Sequence, residues 1–345
     1  MAELKDVFEI VTRHTEPDPD SWNQQERRQR RTVRRRKAGA IALAAALSIA
    51  GAIFVIRSLR DEGTTTPAIT PPPVAETSMD LSILDPQTGA VESLVTAGAG
   101  GETEGELSPD GASLVFVRDY AVYVMSADGS DRRQLVGSAN FGFGPMPTWS
   151  PDGTQIAFVQ NEDIYVMNAD GSDPHRLAGT RTPDANPDWS PDGMQIVFNS
   201  GDSIATSDQA EIWVVSVGDG RKTQLTRNDV FESYPTWSPD GQTIAFERWS
   251  RPDASSLEHA SLWLMRADGS DQRQLVNLGR FENPTYPTWS PDGHEIAFVV
   301  SISGGNPESG TLAIVTIDDG VTRTLLDGVS YPNWTTEGIL VGQGS

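Results

Sequence analysis

The chain has 345 residues, no cysteine and a formal net charge of −22. Disulfides and thiol chemistry are thereby excluded, and the length suits one large domain or two ordinary ones. The charge is uneven: residues 1–60 hold 12 Lys and Arg against 7 Asp and Glu, whereas residues 61–345 hold 14 against 41. So acidic a C-terminal part repels phosphate backbones, and nucleic acid is excluded as a partner.

Residues 1–37 read as a cytoplasmic tail. Leu4, Val7, Phe8 and Val11 follow the i, i+3, i+4, i+7 spacing of an amphipathic helix, which Pro17 and Pro19 end. So short a helix is marginal alone, so its apolar stripe is predicted to dock on a cytoplasmic protein, with the bilayer surface as the alternative. Asp20 is placed to cap a second, basic helix that leads into the next segment.

Residues 38–57 read as a single transmembrane helix. The run 38–56 carries no charge, Ser48 is its one polar side chain, and its 19 residues reach about 28 Å. Eight Lys and Arg between Arg27 and Lys37 precede it. The positive-inside rule then puts the N-terminus in the cytoplasm and the acidic bulk outside the cell membrane. A cleaved signal peptide fits less well, because some 37 residues precede the apolar run. Residues 58–78 are rich in Pro and Thr and read as an extended, semi-rigid linker.

Residues 79–345 are a repeat. Ser-Pro-Asp-Gly begins at Ser108, Ser150, Ser190, Ser238 and Ser290, and Trp149, Trp189, Trp237 and Trp289 precede four of the copies. A degenerate sixth copy starts at Trp334, and the spacings of 42, 40, 48, 52 and 45 match one four-stranded propeller blade each. Each unit reads as four strands, A to D. A short segment such as Tyr234-Pro-Thr-Trp237 leads into the Ser-Pro-Asp-Gly turn. An apolar strand (Ile156–Val159), a second one (Ile164–Met167), an Asp-Gly turn and a last strand (Arg273–Val276) follow. Five full units cover residues 109–326. The C-terminal part then supplies only an A strand near Trp334 and a B strand at Ile339–Val341, while Leu81–Leu84 and Val91–Val95 supply a C and a D strand. Joining the two gives a sixth blade and closes the ring, so the expected fold is an all-β, six-bladed propeller.

The pattern Trp-Ser-Pro-Asp-Gly, Ile-Ala-Phe, Ile-Tyr-Val-Met, Ala-Asp-Gly, Arg-Gln-Leu resembles the propeller repeats of TolB and its relatives. The resemblance covers roughly residues 80–341, and it implies the fold and an extracytoplasmic setting. The α/β domain that precedes the propeller in TolB has no counterpart between the linker and Asp80, so the partners of TolB are not carried over.

The turns at one end of such a propeller are short and uniform. The other end holds the irregular loops 137–147, 179–187, 200–209, 228–235, 249–260, 277–287 and 301–310. Repeats that vary one face generally bind through it. That face carries Phe141, Phe143, Arg181, Phe231, Arg248, Trp249, Arg251, Arg280 and Phe281, aromatic and Arg side chains of the kind that anchor interfaces. The competing use of any one of them is to cap the core. Trp149, Trp189, Trp237, Trp289 and Trp334 are assigned to packing between blades. The repeated aspartates are read as turn formers, with Ca2+ binding as their alternative use.

No G-x-S-x-G elbow and no H-E-x-x-H spacing occurs, and His14, His175, His259 and His294 stand apart in sequence. No catalytic residue, metal or cofactor is therefore expected. The sequence points to a membrane-anchored, non-enzymatic module that binds an envelope protein or glycan and links it to a cytoplasmic partner. The alternative is an envelope polysaccharide lyase or hydrolase using carboxylates at the channel mouth.

Overall fold

The computed structural model describes residues 79–95, 102–137, 144–179, 182–201, 209–228, 230–250, 259–278, 282–302 and 310–344. The tail, transmembrane helix and linker expected over 1–78 lie outside these residues. Among the described residues every regular element is a strand, and no helix is long and apolar enough to cross a membrane.

β1 (Met79–Leu84) and β2 (Val91–Val95) form a hairpin. Four four-stranded antiparallel sheets follow. The first holds β3 (Glu102–Leu107), β4 (Ser113–Arg118), β5 (Ala121–Ser126) and β6 (Arg133–Val136). The second holds β7 (Thr148–Trp149), β8 (Gln155–Gln160), β9 (Asp163–Asn168) and β10 (His175–Ala178). The third comprises β11 (Asp184–Trp189), β12 (Gln195–Gly201), β13 (Ala210–Ser216) and β14 (Lys222–Gln224). In the fourth are β15 (Glu232–Trp237), β16 (Thr243–Ser250), β17 (His259–Arg266) and β18 (Arg273–Val276). The remaining strands are β19 (Glu282–Trp289), β20 (Glu295–Ile302), β21 (Gly310–Thr316), β22 (Thr322–Trp334) and β23 (Ile339–Gly344).

These last five strands join the first hairpin in one seven-stranded sheet, in the order β19-β20-β21-β22-β23-β1-β2. A separate D strand and A strand are predicted from the repeat, yet β22 runs unbroken for 13 residues. The reason lies in Asp327-Gly328: no long loop intervenes there, so the strand passes directly from pairing with β21 to pairing with β23. β1 pairs with β23 along its full length, from Met79 opposite Gly344 to Leu84 opposite Ile339. The two ends of the repeat are thus hydrogen-bonded into one sheet.

Each Ser-Pro-Asp-Gly copy builds the same turn. Ser150 Oγ donates to Asp152 Oδ1 at 2.6 Å and accepts from Gln155 N at 2.9 Å, while Thr154 N donates to Asp152 Oδ1 at 3.0 Å. Gly153 closes the turn at φ +68°, a left-handed conformation that a side chain would resist. The serine hydroxyls, followed by backbone N–H groups, hold Asp110, Asp152, Asp192, Asp240 and Asp292 below the usual carboxylate range. These carboxylates are consumed by their own turns.

The core lies between successive sheets. Phe116, Phe158, Phe198, Phe246 and Phe298 occupy one repeated position and are fully buried, each contributing about 2–3 kcal/mol of hydrophobic burial. Trp149 packs with Val115, Val122 and Val124 of the sheet before it, and Trp189 does the same with Ala157, Val159 and Val166. Indole Nε1 groups also bond backward: Trp149 to Glu106 O at 3.2 Å, Trp189 to Thr148 O at 3.3 Å and Trp289 to Thr236 O at 3.3 Å. The first repeat carries Leu107 in the tryptophan's place. Leu107 packs with Leu114 and Phe116 against Leu81 and Leu340 from the terminal strands.

Candidate functional site

The innermost strands meet one another in the order β3, β7, β11, β15, β19, β22 and back to β3, leaving a channel along their common axis. Five of them break register just before the turn, as between Ser233 and Thr236 or between Thr285 and Thr288. At these bulges, and at the matching point before β7, one residue per segment takes a positive φ: Glu104, Met146, Asn186, Tyr234, Tyr286 and Tyr331, between 42° and 56°. A proline follows in five of the six, and the bulge turns the preceding side chain toward the channel.

These residues form the wall of a cavity of about 180 Å3 at the loop end of the channel. Tyr234, Tyr286 and Tyr331 make an aromatic ladder, with ring centroids 4.5 and 4.6 Å apart and both pairs tilted by 59°. Their hydroxyls form a hydrogen-bonded chain, and burial raises the pKa of Tyr234 and Tyr286. The charge of Glu247 pushes Tyr234 further in the same direction, and that of Glu104, across the channel, adds a smaller push to both.

Below this ring, Glu106, Asp188, Thr236, Thr288 and Asn333 form a collar shared with a second cavity of about 400 Å3, which opens at the turn end. The collar stitches neighbouring sheets together. Glu106 Oε2 accepts Trp149 N–H at 3.3 Å, Asp188 Oδ2 accepts Trp237 N–H at 2.7 Å, and Thr288 Oγ1 accepts Trp334 N–H at 3.1 Å. Burial, and then repulsion from Asp188, pushes the Glu106 carboxyl up to about 8, and burial pushes Asp188 up to about 6.

A second polar group lies in the fourth sheet near the loop end. Glu247 is 1% exposed, accepts Ser233 Oγ–H at 2.6 Å, and is pushed by burial to about 7. Beside it Arg248 pairs with the fully buried Glu232, Nη2 to Oε1 at 2.5 Å, and lies 4.1 Å above the Trp263 ring. Asn228 Nδ2 donates to the same Glu232 oxygen at 2.9 Å, and Asn228 N–H donates to Glu211 Oε1 at 2.6 Å.

Of the nine residues that the sequence places on the variable face, Phe231, Arg248 and Trp249 are described, and they come together. Trp249 N–H donates to Phe231 O at 2.9 Å, and Phe231 bridges to Ala210 of the neighbouring sheet. Phe231 and Trp249 are partly exposed. Arg248 is spent inward, on Glu232 and Trp263. Phe141, Phe143, Arg181, Arg251, Arg280 and Phe281 lie outside the described residues, as do Leu4, Val7, Phe8 and Val11. The tyrosine ladder and the carboxyl collar are absent from the sequence-derived set. The signal for them was x-Pro-x-Trp, whose first residue enters the channel in every copy from Met146 to Tyr331. Among the described residues no three His, Asp or Glu side chains converge as a metal site.

Residues 121–248 match the family described as the TolB beta propeller domain. In sequence, no curated protein is significantly similar to the chain. Among solved structures, a protein assigned as TolB from Agrobacterium tumefaciens superposes with a TM-score of 0.62 at 21% identity, over 78% of this chain and 99% of that one. TolB from Acinetobacter baumannii gives 0.55 at 20% identity, over 75% and 66% of the two chains. An oligogalacturonate lyase in complex with manganese gives 0.55 at 18% identity, over 78% of each. The repeat, the matched segment and these likenesses agree: the described residues from 79 onward take a β-propeller fold similar to that of TolB.

Proposed function

We propose that the chain is a single-pass membrane protein whose six-bladed propeller stands outside the cell membrane and binds an envelope protein or glycan without turning it over. The transmembrane helix at 38–57 and the linker at 58–78 hold the propeller off the bilayer. The stripe Leu4, Val7, Phe8 and Val11 docks on a cytoplasmic protein, so that the molecule tethers partners on both sides.

The observation that carries the binding reading is the division of labour along the channel. The strongly perturbed carboxyls of the collar, Glu106 and Asp188, each give one oxygen to the Trp149 or Trp237 N–H of the next sheet, a hold between sheets that needs no turnover. The cavity above them lies at the end of the inner strands away from the Ser-Pro-Asp-Gly turns, with the partly exposed Phe231 and Trp249 at the same end of the fourth sheet. The rival reading, a polysaccharide-processing enzyme, draws on the likeness to the lyase and on the shifted carboxyls.

The test immobilises the full chain in detergent micelles and captures from solubilised envelope of the source organism, with Phe231→Ala/Trp249→Ala as the control. A defined protein or glycan retained by the wild type and lost by the double variant is the expected result. Equal retention by both removes the variable face from binding. Release of shortened glycan that Glu106→Gln abolishes would establish the enzyme instead.

A further inference from the structure

The upper cavity is polarised. Tyr234, Tyr286 and Tyr331 come from β15, β19 and β22, which are consecutive around the ring and make one half of the wall. Glu104, Glu106 and Asp188 come from β3 and β11 in the other half. None of the described lining residues is basic. Architecture does not demand this arrangement, because Met146 and Asn186 serve at the same bulge position as the tyrosines. An aromatic face opposite a carboxylate face is the surrounding that favours a cation carried on an apolar stem: the rings attract its charge and cover its methylenes, and the carboxylates pair with it.

We propose that this cavity takes an organic cation, a guanidinium or ammonium group at the end of an alkyl chain, presented by a basic side chain of the bound partner. The inference rests on the binding reading above and narrows it to a protein partner. The size is suitable: the cavity measures about 180 Å3, and an engineered cavity of about 150 Å3 already admits benzene. The acidity of the whole C-terminal part steers a basic segment toward it. The raised pKa values of Glu106 and Asp188 agree with the site. Packed without a counter-charge, the two carboxyls hold protons more tightly than in water, and an entering cation favours their release.

The probe is n-butylguanidinium, titrated calorimetrically into the full chain in micelles, with the uncharged n-butylurea as its shape control. Saturable millimolar binding, at least tenfold tighter for the cation and stronger at pH 8 than at pH 5.5, is expected. Glu104→Gln and Tyr331→Leu should each weaken it about tenfold while the circular-dichroism spectrum and Tm stay close to wild type. Absence of saturable binding, equal binding of the urea, or indifference to both substitutions overturns the proposal. The cation should also displace a captured partner. Partner capture that persists at saturating n-butylguanidinium sinks the channel site and leaves the binding reading standing. Cation binding without any captured partner does the reverse.

Discussion

The two ends of the same sheets solve different problems. At the turn end the repeated polar groups are satisfied within a few residues: each serine, aspartate and glycine of Ser-Pro-Asp-Gly bonds inside its own turn. At the loop end the polar groups are buried and reach across strands and sheets. One position on the second strand of each sheet makes the contrast plain. It holds Val117, Val159 and Val299 in three sheets, but Asn199 and Glu247 in the other two, and all five are buried. Valine therefore suffices for the fold at that position. Polarity there costs desolvation that the architecture does not require, so it answers to a demand other than folding.

The comparison is sharpened by perturbing each side in turn. The largest effect is expected at a repeated tryptophan. Trp289 is buried among Ala245, Leu262, Leu264 and Ile296 and bonds to Thr236 O, so Trp289→Ala should cost about 3–5 kcal/mol, on the order of 10 °C in Tm by calorimetry of the full chain. Next comes the pH dependence, in which the two groups of carboxyls oppose each other. Turn aspartates such as Asp152 have lowered values, so their contribution is present above the unfolded value near 4 and is lost as pH falls through the folded one. Glu106, Asp188 and Glu247 have raised values. The folded chain keeps protons that the unfolded chain has released, so their contribution is complete below about 4 and declines as pH rises toward about 8. Tm should fall between pH 5 and pH 8 by on the order of 5 °C, and Glu106→Gln should flatten that slope. A Tm that rises over this range, or a slope that the substitution leaves intact, would show that the collar carboxyls ionise as in water.

The fold was legible because its signals are local and repeated. Asp-Gly turns, β-branched runs and the Trp spacing all report on chain segments of a few residues, and five copies average out the noise. The resemblance to TolB repeats rests on the same segments. The candidate site was not legible in that way. Tyr234, Tyr286 and Tyr331 are separated by more than 40 residues each and meet only because the inner strands share an axis. A bulge at positive φ, rather than strand alternation, sets their direction, so a period-two reading assigns them the wrong face. Arg248 shows the converse. Its charge and its place beside Trp249 suggested an interface anchor, but sequence alone does not reveal that Glu232, directly across the strand pair, would be fully buried and in need of a cation.

The smallest expected effect is the most informative about the two ends. Glu247→Val installs the residue that Val117, Val159 and Val299 show to be adequate at this position. It removes a buried carboxyl whose Oε1 makes no hydrogen bond, and it leaves Ser233 Oγ without its 2.6 Å acceptor. Replacing a poorly satisfied buried acid with a well-packed apolar side chain is often neutral or stabilising, and the stranded serine hydroxyl offsets the gain by about 1 kcal/mol. Tm at pH 7 should therefore move by no more than about 2 °C in either direction. The pH slope between 5 and 8 should lessen, because one of its three carboxyls is gone. A fall of 10 °C would mean that Glu247 is as structural as Trp289, and that loop-end polarity is a requirement of this fold. A silent substitution leaves the polar loop end as a surface that folding does not need and that binding is left to explain.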